Sequence, residues 1–170
     1  MYFQTSIDSF LIGLFFGLLT LAAYGDIRNY RIPNWLSLAI AALYPVHVLA
    51  SNVPVDWIGA VIVTFVVFVL AVVLFVGRVM GGGDVKLIAA VALWAGPAFI
   101  ADFIVVMALS GALLAIMLMS PLRHGLALAF EKAGNHQSRD AVLAKIIPYG
   151  LAIAVGGYVV GLRLMATVQV

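Results

Sequence analysis

Two aspartates in this sequence have the residue type and the surroundings that acid–base chemistry on a peptide requires. Asp26 follows a long apolar run, and Asp84 follows the glycines of Gly81–Gly83. Two carboxylates that converge cannot both ionise cheaply, so they share a proton. One then acts as a base on a water molecule while the other acts as an acid on a scissile carbonyl. This is the arrangement of an aspartic peptidase, which needs no metal and no cofactor.

The residues around the two aspartates suit an extended peptide. Glycine lets the backbone adopt positive φ and approach a ligand closely, so Gly81–Gly83 predict open backbone beside Asp84. Such an interruption is tolerated at membrane depth only where it lines a cavity. In the other segment, Pro33 after Ile32 fixes the chain as it enters the next helix, and Asn34 suits an N-cap.

Simpler explanations exist for each aspartate. Asp84 alone can cap the helix that follows it, with the glycines as a flexible turn, and Asp26 alone can be an interfacial charge paired to Arg28 or Arg31. Two acids at membrane depth also suit an ion- or proton-coupled transporter. The residue types alone leave the peptidase and the transporter open.

Composition predicts an all-α, polytopic integral membrane protein with a single domain over residues 1–170. The chain is 65% hydrophobic and 9% charged, whereas soluble domains are about 45–50% apolar and about 25% charged. The absence of cysteine excludes disulfides, Cys-ligated zinc and thiol catalysis. A net charge of +2 gives no reason to expect nucleic acid as a partner. Residues 1–6 resemble the remainder of a cleavable tag or a disordered end and carry no functional interpretation.

Apolar runs predict six transmembrane helices, and the first is expected to be retained rather than cleaved as a signal peptide. They are Ile7–Tyr24, Trp35–Ala50, Trp57–Val76, Val85–Trp94, Phe99–Met119 and Val142–Met165. The connection from Ser120 to Ala141 is either an interfacial helix closed by Gly134 or a solvated loop.

Lys and Arg predict the orientation, because basic loops stay in the cytoplasm. If six helices alternate, Arg163 alone lies opposite the other basic residues, on the face that carries Asp8, Asp56 and Asp102. Both termini are then outside, and Asp26 and Asp84 face the cytoplasm from the inner (cytoplasmic) membrane.

Other residues have structural interpretations. The three histidines lack metal-ligand spacing and are expected at surfaces, and Trp35, Trp57 and Trp94 are expected as interfacial anchors. Gly13-x-x-x-Gly17 and Gly157-x-x-x-Gly161 permit close helix packing. Pro148 and Gly150 predict a kink inside the last helix that opens space beside the aspartates.

Three segments together resemble the type IV prepilin peptidases. That family has an aspartate several residues before Ile-Pro-Asn, a second aspartate in Gly-x-Gly-Asp-x-Lys, and a Pro-aromatic-Gly segment near its end. Asp26 and Asp84 match the family's catalytic aspartates. The other residues of these segments are expected to bind substrate or shape the site: Ile32, Pro33, Asn34, Gly81, Gly82 (at the variable position of the glycine motif), Gly83, Lys86, Pro148, Tyr149 and Gly150.

The resemblance implies cleavage of the leader from prepilins or pseudopilins at the cytoplasmic membrane face, just before their hydrophobic segment. Lys86 is expected either to hold a substrate acid or to anchor its helix at the lipid headgroups. Full-length members also carry a cytoplasmic loop with two Cys-x-x-Cys pairs and methylate the new N-terminus. With no cysteine, this chain resembles the short, peptidase-only members associated with Flp pili, and archaeal preflagellin peptidases remain an alternative. No metal, cofactor or methyl donor is expected.

Overall fold

Seven α-helices and no strand make up the part of the chain that the computed structural model describes, which is residues 2–51, 53–143 and 147–168. The helices are α1 (Tyr2–Asn29), α2 (Asn34–Ala50), α3 (Trp57–Val76), α4 (Gly82–Met119), α5 (Leu122–Lys132), α6 (His136–Leu143) and α7 (Tyr149–Val168). The expected all-α fold class is confirmed.

Four helices are long and apolar enough to cross a membrane. They are α1 from Ile7 onward, α3, α4 and α7 to Thr167, while α2 is apolar but only 17 residues long. A span needs about 20 mostly apolar residues. The fold is therefore consistent with the polytopic membrane protein that composition predicts.

The chain turns back within α4, so that its second arm runs antiparallel to α7. Gly96 has φ 53° and ψ −168°, a non-helical conformation that favours glycine. Beyond it, Asp102 pairs with Arg163 at 3.1 Å, near the end of α7. A Cβ placed on Gly111 would lie 3.8 Å from the Ala152 Cβ, near the start of α7. The second arm, residues 97–119, thus runs back toward the start of α7.

The first arm of α4, residues 82–95, runs parallel to α7. At its start, a Cβ on Gly83 would lie 3.3 Å from the Ile32 Cβ, and Ile32 also lies beside Gly150 of α7. Further along, Val91 lies beside Gly157. The sequence prediction of two separate helices in this region agrees with this geometry, because the non-helical backbone at Gly96 separates the two arms of α4.

A cluster of rings holds the turn of α4 against α1 and α2. Trp94 is 2% exposed, stacks on Phe15 at 4.6 Å between ring centroids, and donates from Nε1 to the Ile40 carbonyl at 2.9 Å. His47 stacks on the other side at 5.0 Å and bonds Asp8 at 2.9 Å. The expectations of an interfacial Trp94 and a surface His47 are wrong, because both side chains are buried and their rings stack on each other.

One of the two glycine motifs mediates close packing. A Cβ on Gly157 would lie 2.7 Å from Leu19 Cδ1, and one on Gly161 would collide with Phe16, so α7 needs both glycines to approach α1. The other motif, at Gly13 and Gly17, faces open space. Only the C-terminal motif therefore has the packing role that the sequence suggests.

The long connection contains two short helices rather than a solvated loop. Helix α5 ends before Gly134, at φ 72°, as expected. Leu126 and Phe130 pack with Leu118 of α4 and Val142 of α6. Helicity here is confirmed, and the solvated-loop alternative is wrong. The apolar side chains of α5 are partly used in this packing.

The predicted last helix is split in two. Helix α6 ends at Leu143 and α7 begins at Tyr149, so Pro148 precedes the helix instead of kinking its interior. Proline is tolerated before a helix because no intrahelical donor is lost there. Residues 144–146, which include the basic Lys145, lie outside the described residues.

Packing of α7 against the second arm of α4 gives a stability prediction. A Cβ on Gly156 would lie 2.9 Å from Phe103 Cδ2 and 3.0 Å from the Phe103 carbonyl oxygen. We expect Gly156→Ala to cost about 1–3 kcal/mol through overpacking. Gly17→Ala, which meets no neighbour within 4 Å, is the matched control. Thermal unfolding in one detergent, followed by circular dichroism, measures both, and equal shifts for the two variants would contradict this packing.

Candidate active site

Asp26 lies in the last turn of α1 and is held by the first turn of α7. Its side chain is 6% exposed, and its Oδ2 accepts a hydrogen bond from the Gly150 N–H at 2.7 Å. That N–H has no acceptor within its own helix, because it belongs to the first turn. Arg28 instead donates to the Tyr24 hydroxyl and lies over its ring. Among the described residues Asp26 has no ion pair, so its interpretation as an Arg-paired interfacial charge is wrong.

Asp84 is half-buried in the first turn of α4. Gly81 is the N-cap of α4, so the interpretation of Asp84 as the N-cap after a flexible turn is wrong. Instead, Asp84 Oδ2 accepts a hydrogen bond from the Gly81 N–H at 3.2 Å and stabilises the start of the helix from its third position. This capping bond uses one carboxylate oxygen. It is therefore compatible with a chemical role for Asp84 in the adjoining cavities.

Two cavities meet at the aspartates. We call them the α3 cavity, of about 660 Å³, and the glycine-loop cavity, of about 450 Å³. The α3 cavity is lined by Asp26, Tyr30, Phe75, Val76, Arg78, Val79, Met80, Gly81, Asp84, Ile147 and Tyr149. The glycine-loop cavity is lined by Asp26, Tyr30, Arg31, Ile32, Pro33, Asn34, Gly81, Gly82, Gly83 and Asp84. Asp26 and Asp84 line both cavities, so the two aspartates lie where the cavities adjoin.

The glycine run begins a helix instead of interrupting one. Gly81 is the N-cap of α4 with φ −76°, and Gly82 and Gly83 are its first helical residues. None of the three glycines has positive φ, so that part of the expectation is wrong, whereas the N–H groups of Gly82 and Gly83, in the first turn, have no acceptor within the helix. These glycines permit close approach, because a Cβ on Gly82 would lie 3.3 Å from Phe75, and one on Gly83 equally close to Ile32.

Lys86 and Asn34 are bonded to each other at the edge of the site. The Lys86 ammonium donates to Asn34 Oδ1 at 2.9 Å, which ties α4 to α2. Lys86 lines neither cavity at the aspartates. The interpretation of Asn34 as an N-cap is wrong, because Pro33 occupies that position without a side-chain bond and Asn34 is already helical.

The Pro-aromatic-Gly segment contributes unequally to the site. Gly150 contacts Asp26 directly, and Tyr149 lines the α3 cavity. Pro148 lines neither cavity at the aspartates. The segment therefore reaches the site through the first turn of α7 and not through a proline kink.

Tyr30 is a site residue that the sequence reasoning missed. It lines both cavities, and its N–H donates to the Asp26 carbonyl at 2.8 Å just beyond the end of α1. Burial, and secondarily the Asp26 charge, raise the pKa of the Tyr30 phenol. Its φ of 51° is the left-handed conformation that glycine usually supplies after a helix. The spacing of four residues from Asp26, one helical turn, is the signal that points to it.

Comparison with known proteins adds one finding. Residues 13–117 match the model of the type IV leader peptidase family. The matched range contains both aspartates, while the first turn of α7 lies beyond it. No curated protein and no solved structure matches the chain.

The contact between α1 and α7 at the site gives a second stability prediction. A Cβ on Gly150 would lie 2.8 Å from Asp26 Oδ2 and 2.9 Å from Ile32 Cδ1. We expect Gly150→Ala to destabilise the fold by about 1–3 kcal/mol, since the added methyl separates the helices. Gly125→Ala, in an exposed position with nothing within 4 Å, should be neutral or stabilising by about 1 kcal/mol. Thermal unfolding of both in the same detergent is the measurement, and an unchanged midpoint for Gly150→Ala would contradict the contact.

Proposed function

Because the chain belongs to the type IV leader peptidase family, we propose that it is an aspartic endopeptidase that removes the leader of type IV, Flp-like prepilins at the cytoplasmic membrane face. The family implies a peptidase with a prepilin substrate in a membrane environment. The observation that carries the aspartic mechanism is that Asp26 and Asp84, remote in sequence, line the same two cavities.

In the proposed reaction the dyad of Asp26 and Asp84 holds one proton between its two carboxyl groups. The ionised carboxylate takes a proton from a water molecule, whose oxygen attacks the scissile carbonyl carbon. The protonated carboxyl group donates its proton to the carbonyl oxygen. The tetrahedral intermediate then collapses: the leaving nitrogen takes a proton from one carboxyl group, the C–N bond breaks, and one hydroxyl of the intermediate returns a proton to the other carboxylate, so the dyad regains its single proton. Water is consumed, and one new carboxyl group and one new amine are formed.

The surrounding backbone assists this reaction in the proposal. The Gly150 N–H donates to Asp26, which favours the ionised form of that carboxylate. Gly82 and Gly83 line the glycine-loop cavity at the start of α4, and the first N–H groups of a helix have no intrahelical acceptors. We assign these two N–H groups to the carbonyls of an extended leader.

The proposal includes six membrane crossings with the dyad at the cytoplasmic side. The reversal at Gly96 turns α4 into two crossings, and α2 supplies the sixth. Both ends of α4 then lie near the C-terminal end of α1, where Arg28 and Arg31 flank the site. Basic residues on one side support a cytoplasmic placement.

A transporter that uses the same aspartates receives no support from these observations. The family implies a peptidase. Asp26 and Asp84 also lie together at one end of the helices, whereas coupled transport needs binding groups that are reached in turn from both faces.

Each aspartate should be indispensable for cleavage. Asn preserves size but cannot exchange a proton, so we expect Asp26→Asn and Asp84→Asn each to lower the cleavage rate by roughly 10²–10⁴-fold. The double variant should be little worse than either, because the pair acts as a unit. The measurement is the gel shift of a pilin precursor incubated with purified protein.

Asp102→Asn is the matched control for this series, since Asp102 is partly exposed and pairs with Arg163 far from the dyad. It should cleave at the wild-type rate. Near-wild-type turnover by either dyad variant, in protein that is folded and inserted, would remove that residue from the mechanism.

Substrate presentation gives a further prediction. A precursor with its hydrophobic segment held in the bilayer should be cleaved much faster than a soluble peptide that contains only the leader and the cleavage site. The hydrophobic segment supplies binding energy that positions the scissile bond. Comparing kcat/KM for the two substrates in the same vesicles tests this, and equal efficiency would argue against membrane presentation.

A further inference from the structure

We infer that the two cavities divide the substrate between them, with the scissile bond at their junction. The α3 cavity takes the apolar segment that follows the scissile bond, and the glycine-loop cavity takes the leader residues that precede it. This inference rests on the proposed function and deepens it. It assigns a direction to the bound chain.

The α3 cavity has an apolar wall that faces outward. Phe75, Val76 and Val79, at the end of α3, are exposed, and Val76 is 74% exposed. The cavity is also lined by Ile147 and Tyr149, before and at the start of α7. Covering such apolar side chains with an apolar partner removes them from water or from lipid contact and is favourable where the surfaces fit. This wall therefore suits an apolar helix better than a polar leader.

The α3 cavity is also reached from the side of the bundle. Helix α3 packs on α4 and, in the described part of the chain, has no extensive packing against α1 or α7. Most of its side chains are exposed along its length. A hydrophobic segment that lies in the bilayer can thus reach the cavity laterally, between the end of α3 and the start of α7.

The glycine-loop cavity has a different chemistry. It is lined by the exposed side chains of Arg31 and Asn34 and by the first turn of α4 at Gly81–Gly83. Helix-start N–H groups bind carbonyl oxygens without regard to side chain. An extended polar segment matches this lining, whereas an apolar helix would leave these donors unpaired.

Continuity through the dyad fixes where the chain is cut. Asp26, Tyr30, Gly81 and Asp84 line both cavities. A chain that runs from one cavity into the other must therefore pass both carboxylates. The two cavities differ in polarity. The substrate therefore binds in one direction, with its leader in the glycine-loop cavity and its apolar segment in the α3 cavity.

Site-directed crosslinking tests the direction, and the absence of cysteine from the chain makes every introduced thiol unique. Val76→Cys marks the α3 cavity and Arg31→Cys marks the glycine-loop cavity. Leu113→Cys is the control, because Leu113 is 68% exposed on the second arm of α4, near the level of the dyad. A membrane-held pilin precursor without natural cysteine carries one thiol, either before or after its cleavage site. A short bismaleimide then links the thiol of the protein variant to the thiol of the precursor when the two lie close together.

We expect Val76→Cys to link mainly to the thiol after the cleavage site and Arg31→Cys mainly to the thiol before it, each at least several-fold above the Leu113→Cys control. The reverse pairing would overturn the direction. Linking of Leu113→Cys as efficient as that of Val76→Cys, or no link above background, would overturn the assignment of the cavities. Cleavage of the precursor by the wild-type protein and by each cysteine variant is measured before any crosslinker is added. Absence of cleavage by the wild-type protein would contradict the proposed function, and with it this inference.

Discussion

The hydrogen bond from the Gly150 N–H to the Asp26 carboxylate is the interaction on which the site depends. It joins the end of α1 to the start of α7 and gives a buried carboxylate its partner. A buried carboxylate without a donor would be costly enough to become protonated or to move. The same contact leaves no room for a Cβ at position 150 unless Asp26 or Ile32 shifts. The Gly150 N–H and the absence of a side chain at position 150 therefore determine together where the Asp26 carboxylate lies and which hydrogen bond it accepts.

The reversal at Gly96 is the second constraint, because it determines where Asp84 lies. It returns α4 toward its own start, so the second arm can support α7 while the first arm presents Asp84 beside Asp26. The rings around Trp94, including His47, fill the space at the turn. The packed turn thus lies at one end of the helices and the two aspartates at the other end, where, among the described residues, α3 has no extensive packing against α7 and the cavities form.

Sequence alone predicted the parts that depend on local pattern. Apolar runs predict most of the long helices. The residues around Asp26 and Asp84 predict that the two aspartates lie together, and both line the same cavities. The burial of Trp94 was missed because it depends on the reversal of the chain at Gly96. In the sequence, Gly96 followed by Pro97 is equally consistent with a simple end of a helix at the membrane surface. Tyr30 was missed because nothing in its residue type indicates a left-handed backbone at the site. The errors therefore lie where tertiary contacts override local preference.

The pH dependence of kcat/KM for a membrane-held precursor tests the central claim most directly, which is that Asp26 and Asp84 act as an acid and a base that share a proton. The account predicts a bell-shaped profile. The rate falls at low pH, where both carboxyl groups are protonated and no base remains, and at high pH, where both are ionised and no acid remains. A rate that rises with pH to a plateau, with the protein folded throughout, would indicate a single base and would contradict the shared-proton dyad.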